Sequence, residues 1–145
     1  MLQALSLGLE EAQRAVAAAV GAAAADGRAM AVVVVDRHGD LICCTRMDGA
    51  PARVLRYAIR KAYTAAVMGR DTLALKQEMQ ERGRTLADYG DPLLTTLQGG
   101  LVVHHDGQVV GALAVGGNTQ RRDEAIARIA LQAMGVDGRQ AAAVP

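Results

Sequence analysis

Apolar residues recur at helical intervals at Leu9, Ala12, Val16, Ala19, Val20 and Ala23, and the pattern stops at Asp26-Gly27. Positions spaced by three and four share one helix face, and glycine closes a helix readily, so the spacing predicts a helix over about residues 7–25. Its stripe is narrow and small-sided, which suits close packing on a sheet. The next pattern differs in kind. Met30-Ala31-Val32-Val33-Val34-Val35 is a β-branched run with no polar alternation, the mark of a strand covered on both faces. Asp36-Arg37-His38-Gly39-Asp40 supplies turn chemistry, and Leu41 to Arg46 reads as the returning strand of an antiparallel hairpin.

Pro51 suits the first turn of a second helix that runs through Val54, Ala58, Ala62 and Ala65 to about Gly69. On that helix Tyr57, Lys61, Thr64 and Met68 form another stripe, flanked by Arg53, Arg56 and Arg60. Thr72 is the expected N-cap of a short third helix through Leu73, Leu75 and Met79. Arg82 to Pro92 has no period, and irregular chain of that length in a domain often serves as a lid or subunit contact. An edge strand is expected around Thr95 to Gln98. Leu101 to His105 and Gln108 to Val115, split by Asp106-Gly107, form a second hairpin. Gly116-Gly117-Asn118-Thr119 then opens a last helix with Ile126, Ile129, Ala130 and Ala133 on one side. Hairpins separated by helices predict an α/β (α+β) architecture, an antiparallel sheet with helices packed on it, rather than alternating strand and helix. One domain is expected over residues 1–136, with an Ala- and Gly-rich tail at 137–145 that frays.

Composition narrows the function classes. A chain of 145 residues can hide about two-thirds of its unfolded surface in one core. It has no Phe and no Trp, and its three tyrosines are Tyr57, Tyr63 and Tyr89, so the core must be aliphatic. A net charge of +1 and the shortage of stacking platforms both speak against nucleic-acid binding. No apolar run approaches the roughly 20 residues of a membrane span, and Ala15 to Ala25 contains Gly21. The amino terminus lacks a secretory signal pattern, which places the expected location in the cytoplasm. Cys43 and Cys44 point to opposite faces of a strand, so a disulfide between them is strained, and they read as two small core residues in a reducing compartment.

Candidate chemistry is scattered. Gly99-Gly100 and Gly116-Gly117 flank strands, where successive N–H groups bind a carboxylate or phosphate, or where glycine simply permits a tight turn. Arg46-Met47-Asp48 lies where a strand gives way to a helix. Arg46 can pair with an anion through its planar fork, and Asp48 can orient a ligand, act as a base or cap the helix. Lys61 and Thr64 share a stripe with Tyr57. A Lys against apolar surface can serve as base or nucleophile, whereas one among arginines belongs to a solvated face. His104 and His105 face opposite ways and cannot chelate one metal together, and no zinc-site spacing is present. Single axial ligation of haem stays open for His38, His104, His105 or Tyr57.

Five segments in order carry a resemblance: Val34-Val35-Asp36-Arg37-His38-Gly39, Arg46-Met47-Asp48-Gly49-Ala50, Lys61-Ala62-Tyr63-Thr64-Ala65-Ala66, Leu97-Gln98-Gly99-Gly100 and Asp106-Gly107-Gln108-Val109-Val110-Gly111. Together they resemble the GlcG/HbpS family, the haem-degrading-domain family also seen as the carboxy-terminal domain of some corrinoid adenosyltransferases. The matching segments span about residues 5–135. The resemblance implies a profilin-like fold, a five-stranded antiparallel sheet with helices on both faces, and assembly into dimers up to octamers. It also implies haem or a related tetrapyrrole as cofactor in some members, and an association with catabolic operons. Two departures stand out. Ala114-Val115-Gly116-Gly117 replaces the family's usual Gly-Val-Ser-Gly, which removes a hydroxyl, and Tyr89 and Asp91 stand where many relatives have small residues.

Three functional expectations follow. The first is a homo-oligomeric binding protein whose pocket, near Arg46, Met47, Asp48, Tyr57, Lys61, Thr64, Gly99, Gly100, Gly116 and Gly117, takes haem or another anionic small molecule. The second is a cofactor-free catabolic enzyme, an isomerase, dehydratase or hydrolase, with Asp48 or Lys61 as the proton-transfer base. The third is an assembly protein without a ligand.

Overall fold

The apolar run read as a doubly covered strand sits inside the sheet. In a computed structural model, which describes residues 1–136, β1 (Ala31–Asp36) lies between β2 (Leu41–Arg46) and β4 (Gln108–Gly116), and β3 (Gly100–His105) flanks β4. All pairings are antiparallel, in the order β2-β1-β4-β3. The helices are α1 (Leu9–Ala25), α2 (Ala52–Met68), α3 (Thr72–Arg82) and α4 (Gln120–Ala133). The tail expected to fray, 137–145, lies outside the described residues.

Among the described residues the sheet has four strands, not five, and Thr95 to Gln98 form no strand. The reason is where the backbone groups go. Thr95 N–H donates to Thr64 Oγ1 (3.0 Å), Leu97 N–H to Thr95 Oγ1 (3.2 Å) and Gln98 N–H to Gln120 Oε1 (2.9 Å). The place beside β3 is taken by side chains at the start of α3. Asp71 Oδ1 accepts from Val102 N–H at 3.0 Å, and Thr72 Oγ1 from Gly100 N–H at 3.1 Å. An open strand edge invites pairing with another chain, and here two side chains occupy it. Asp71 is therefore the N-cap residue and buried Thr72 the first residue of α3, correcting the expected cap at Thr72.

Helices cover both faces. α1 and α4 pack on Val32, Val34, Leu101, Val103, Leu113 and Val115, while α2 packs on Ala31, Val33, Val35, Val102, Ala112 and Ala114. The second interface sets Ala58, Ala62 and Ala65 against strand alanines, so helix and sheet approach closely. At Gly100 a Cβ atom would sit 2.5 Å from the Lys61 carbonyl oxygen. A face built this tightly leaves no room for a large ring, which accounts for the aliphatic core.

Some burial expectations are corrected. The buried stripe of α1 is Ala12, Ala15, Ala19 and Ala23, and Leu9 faces solvent. On α4 Ala127 is buried and Ile129 is exposed. Because β2 is an edge strand, Cys43 is only half-buried and Cys44 is exposed, so neither is fully buried; both are free thiols. The segment after α3 carries one short 3₁₀ turn, Leu86–Tyr89, and is strapped to α2 by Tyr63 Oη donating to Asp91 Oδ2 (2.7 Å) and by Arg60 donating to the Pro92 carbonyl (3.2 Å). Among the described residues no helix is long and apolar enough to cross a membrane.

Candidate functional site

At one end of the sheet β1 begins and β4 ends, Ala31 pairing with Gly116, and the N-termini of α2 and α4 converge there. Between them lies a cleft of about 610 Å³, within the range of small-molecule sites. Its charged and polar lining comes from Arg28, Arg53, Tyr57, Lys61, Asn118, Gln120 and Asp123. Apolar wall is added by Ala29, Val54 and Leu97.

Glycine shapes the rim through close approach. Gly117 has φ +125°, and a Cβ there would stand 3.1 Å from the Ala29 carbonyl oxygen; at Gly116 it would stand 3.0 Å from that of Val54. Both positions let the end of β4 lie against the entry to β1 and the first turn of α2. Thr119 caps α4 by accepting from Arg122 N–H at 3.2 Å, which sets Asp123 in the first turn, where a carboxylate suits the helix dipole.

The floor is a buried ion pair. Lys61 Nζ lies 3.2 Å from Asp123 Oδ2 and also donates to the carbonyls of Val115 (2.7 Å) and Gln98 (3.1 Å). The two side chains are 3% and 4% exposed, so desolvation dominates both groups. It draws Lys61 below the ordinary lysine value and pushes Asp123 above the ordinary aspartate value, with the partner's charge opposing each shift. All three ammonium protons have acceptors, and Asp123 Oδ1 accepts from Asn118 N–H at 2.9 Å. The pair thus ties the lead-in to β3, the end of β4 and the start of α4 together. Lys61 is not part of a solvated face, although Arg53, Arg56 and Arg60 on the same helix are exposed.

Above this floor the field is positive. Among the described residues Arg28 and Arg53 form no ion pair. The first turn of α2 has no acidic residue and no side-chain cap, and Pro51 at its N-cap lines the cleft. A helix N-terminus presents partial positive charge and free N–H groups.

Of the residues singled out in the sequence, Tyr57, Lys61, Gly116 and Gly117 line the cleft. Gly99 lies directly behind it, where a Cβ would be 2.9 Å from Lys61 Nζ, and Gly100 is inside β3 beneath α2. Thr64 is buried, its hydroxyl donating to the Arg60 carbonyl at 2.8 Å. Arg46, Met47 and Asp48 are not in the lining. Arg46 and Asp48 are exposed, Pro51 rather than Asp48 is the N-cap residue of α2, and Met47 Sδ accepts from Met30 N–H at 3.4 Å against the core. His38 is exposed in the β1–β2 turn; His104 and His105 end β3, where His105 pairs with Gln108 at the far end of the sheet. His104 is buried, which draws its imidazole below the ordinary histidine value against the opposing charge of Asp71, and its Nδ1 has no hydrogen-bond partner among the described residues. Of the axial candidates only Tyr57 reaches the cleft.

Arg28, Arg53, Asn118 and Asp123 were missed as site residues. Arg28 follows Gly27 and Asp123 follows a cap, which read as helix-end features; their convergence depends on contacts between chain segments far apart in sequence. Among the described residues no group of three or more His, Cys, Asp or Glu is placed to hold a metal ion.

Comparison with known proteins bears on this geometry. The family described as "Haem degrading protein HbpS-like" matches over residues 7–132. Protein GlcG of Escherichia coli strain K12 is 40% identical over 86 residues, which cover 59% of this chain and 63% of that relative, so the chain spans less than two-thirds of its length. An HbpS double mutant from Streptomyces reticuli superposes with a TM-score of 0.82 at 34% identity, covering 91% of this chain and 89% of that one. Klebsiella pneumoniae protein ORFY gives 0.84 at 28%, covering 93% and 94%, and a PduOC:heme complex gives 0.84 at 28%, covering 94% and 100%. With the family match running from Leu7, just before α1, to Gln132 in α4, the chain belongs to the HbpS-like haem-degrading protein family.

Proposed function

We propose that this chain binds haem, or another carboxylated small molecule of similar size, in the cleft between α2 and α4, and does so as a homo-oligomer. The observation that carries the reading is the pairing of Arg28 and Arg53, which form no ion pair among the described residues although the charge of Arg28 also acts on Asp123, with the N-terminus of α2, which no side chain caps, in a space of about 610 Å³. Guanidinium groups bind carboxylates through two parallel hydrogen bonds, and a helix N-terminus adds backbone donors. Family membership and the solved relative described with heme support the same ligand class.

The lining suits haem in part. Arg28 and Arg53 match its acid groups, Ala29, Val54 and Leu97 supply apolar wall, and Tyr57 is the single axial candidate in reach, a residue type that ligates haem iron elsewhere. Bound haem supplies its own iron chemistry; the chain holds the carboxylates, presents a phenol oxygen and shields part of the ring. The enzyme reading draws less from the geometry, because Lys61 already spends every proton on fixed acceptors and Asp48 stands outside the cleft.

Hemin titration followed by absorption tests the proposal. A stoichiometric Soret band is expected, weakened about tenfold or more in the Arg28→Gln/Arg53→Gln variant and altered in Tyr57→Phe, with His38→Ala unaffected. The absence of a Soret band at stoichiometric hemin overturns the haem reading. Light scattering on the same sample tests assembly, and a monomer overturns that part.

A further inference from the structure

The cleft does not end at Tyr57. A second hollow of about 370 Å³ is lined by Arg56, Arg60, Thr95, Tyr57 and Leu97, and the last two also line the first. The two hollows therefore meet along the exposed face of α2, with Tyr57 and Leu97 at the junction. Arg53, Arg56 and Arg60 are spaced by three and four, so they share that face, and from first to last they span roughly 10 Å at the helical rise.

The charge along this face is unbalanced. α2 carries three arginines and Lys61 and no Asp or Glu. Lys61 is neutralised by Asp123, while among the described residues none of the three arginines forms an ion pair. Arg60 reaches only the Pro92 carbonyl, at 3.2 Å. A chain with a net charge of +1 that lines up three arginines without ion pairs beside two connected hollows has concentrated positive potential in one groove.

From these observations we infer that the site takes an elongated dianion with an apolar body. One anionic group sits at Arg28, Arg53 and the start of α2, the other at Arg56 and Arg60, and the body lies on Tyr57 and Leu97. This inference rests on the cleft being the ligand site, as proposed above, and narrows its ligand class. Haem, whose two acid groups leave one edge of the ring, fills one end and leaves the other cation cluster without a partner.

Calorimetric titration of the full chain with biphenyl-4,4′-dicarboxylate, whose acid groups stand at about this separation, tests the idea against biphenyl-4-carboxylate. The dianion is expected to bind about tenfold or more tightly, and that advantage is expected to disappear in Arg56→Gln/Arg60→Gln. Arg56→Gln alone, which removes no hydrogen bond to the strap at Pro92, is expected to reduce the advantage with far-UV circular dichroism unchanged. Equal affinities for the two probes, or an advantage that survives the double substitution, overturn the inference. Hemin titration separates the two readings. Loss of the Soret band with the dianion advantage intact sinks the haem reading and leaves the elongated groove standing, and the reverse result does the opposite.

Discussion

Replacing Lys61 with Met removes the cation from the floor of the cleft while keeping an apolar stem of similar length. Asp123 then stays buried at 4% side-chain exposure with one remaining donor, Asn118 N–H at 2.9 Å, and the carbonyls of Val115 and Gln98 lose their partner. Breaking a buried pair from one side costs about 3–5 kcal/mol, because the surviving charge is left uncompensated. For a domain of this size that lowers the thermal midpoint by about 10 °C or more. Urea and thermal unfolding followed by far-UV circular dichroism reads the change without needing tryptophan. The pH dependence identifies the cause. Without Lys61, burial pushes Asp123 further above its ordinary value of 3.8. A raised folded value contributes stability that is fully present below 3.8 and is lost as the pH rises through the folded value, so the deficit of the variant widens from acidic to alkaline conditions. Adding Asp123→Leu to Lys61→Met removes the stranded charge and restores part of the loss, giving a favourable coupling in a double-mutant cycle. A deficit below about 1 kcal/mol, or one that does not change with pH, refutes the view that an uncompensated buried charge is the cost.

Three further outcomes are expected. Gly100→Ala places a Cβ 2.5 Å from the Lys61 carbonyl oxygen and 2.7 Å from Thr72 Cγ2, so it destabilises by about 3 kcal/mol in urea unfolding, at the upper end of overpacking costs. Thr72→Val keeps the shape but strands the buried Gly100 N–H at the sheet edge, which costs about 1–3 kcal/mol and accelerates amide exchange at that position. Tyr63→Phe removes the hydroxyl that lowers the Asp91 value and is itself raised by it. The stability difference from wild type is therefore present between 3.8 and 10.0 and closes as the pH falls through the lowered Asp91 value or rises through the raised Tyr63 value; denaturation across pH checks both edges.

Local pattern was sufficient for the four helices and the two hairpins. The Met30–Val35 run, the Asp106-Gly107 turn and the alanine period of the second helix each encode their structure through neighbours in the chain, and each lies within one residue of its expected place. Composition also restricted the core to aliphatic side chains, which the close α2–sheet interface requires. The absent fifth strand shows the limit. Thr95 to Gln98 have strand-compatible composition, but Asp71 and Thr72 already occupy the edge of β3, and those side chains come from a different segment.

The functional site marks the same boundary. Lys61 stood out in the sequence as one residue among arginines, with no local sign of whether it faced water or the interior. Only the packing of α2 against the sheet, with the first turn of α4 reaching round the end of β4, buries it and brings Asp123, 62 positions away, to its side. Arg46 was singled out for its anion-pairing fork and Asp48 as an orienting group, base or cap at the strand-to-helix junction, yet they lie outside the cleft, which opens between α2 and α4. The sequence by itself determined the helices, the hairpins and the family, since turn chemistry and hydrophobic period act over a few residues. Tertiary structure alone decided which polar side chains converge, because desolvation and charge pairing depend on what another part of the chain places beside them.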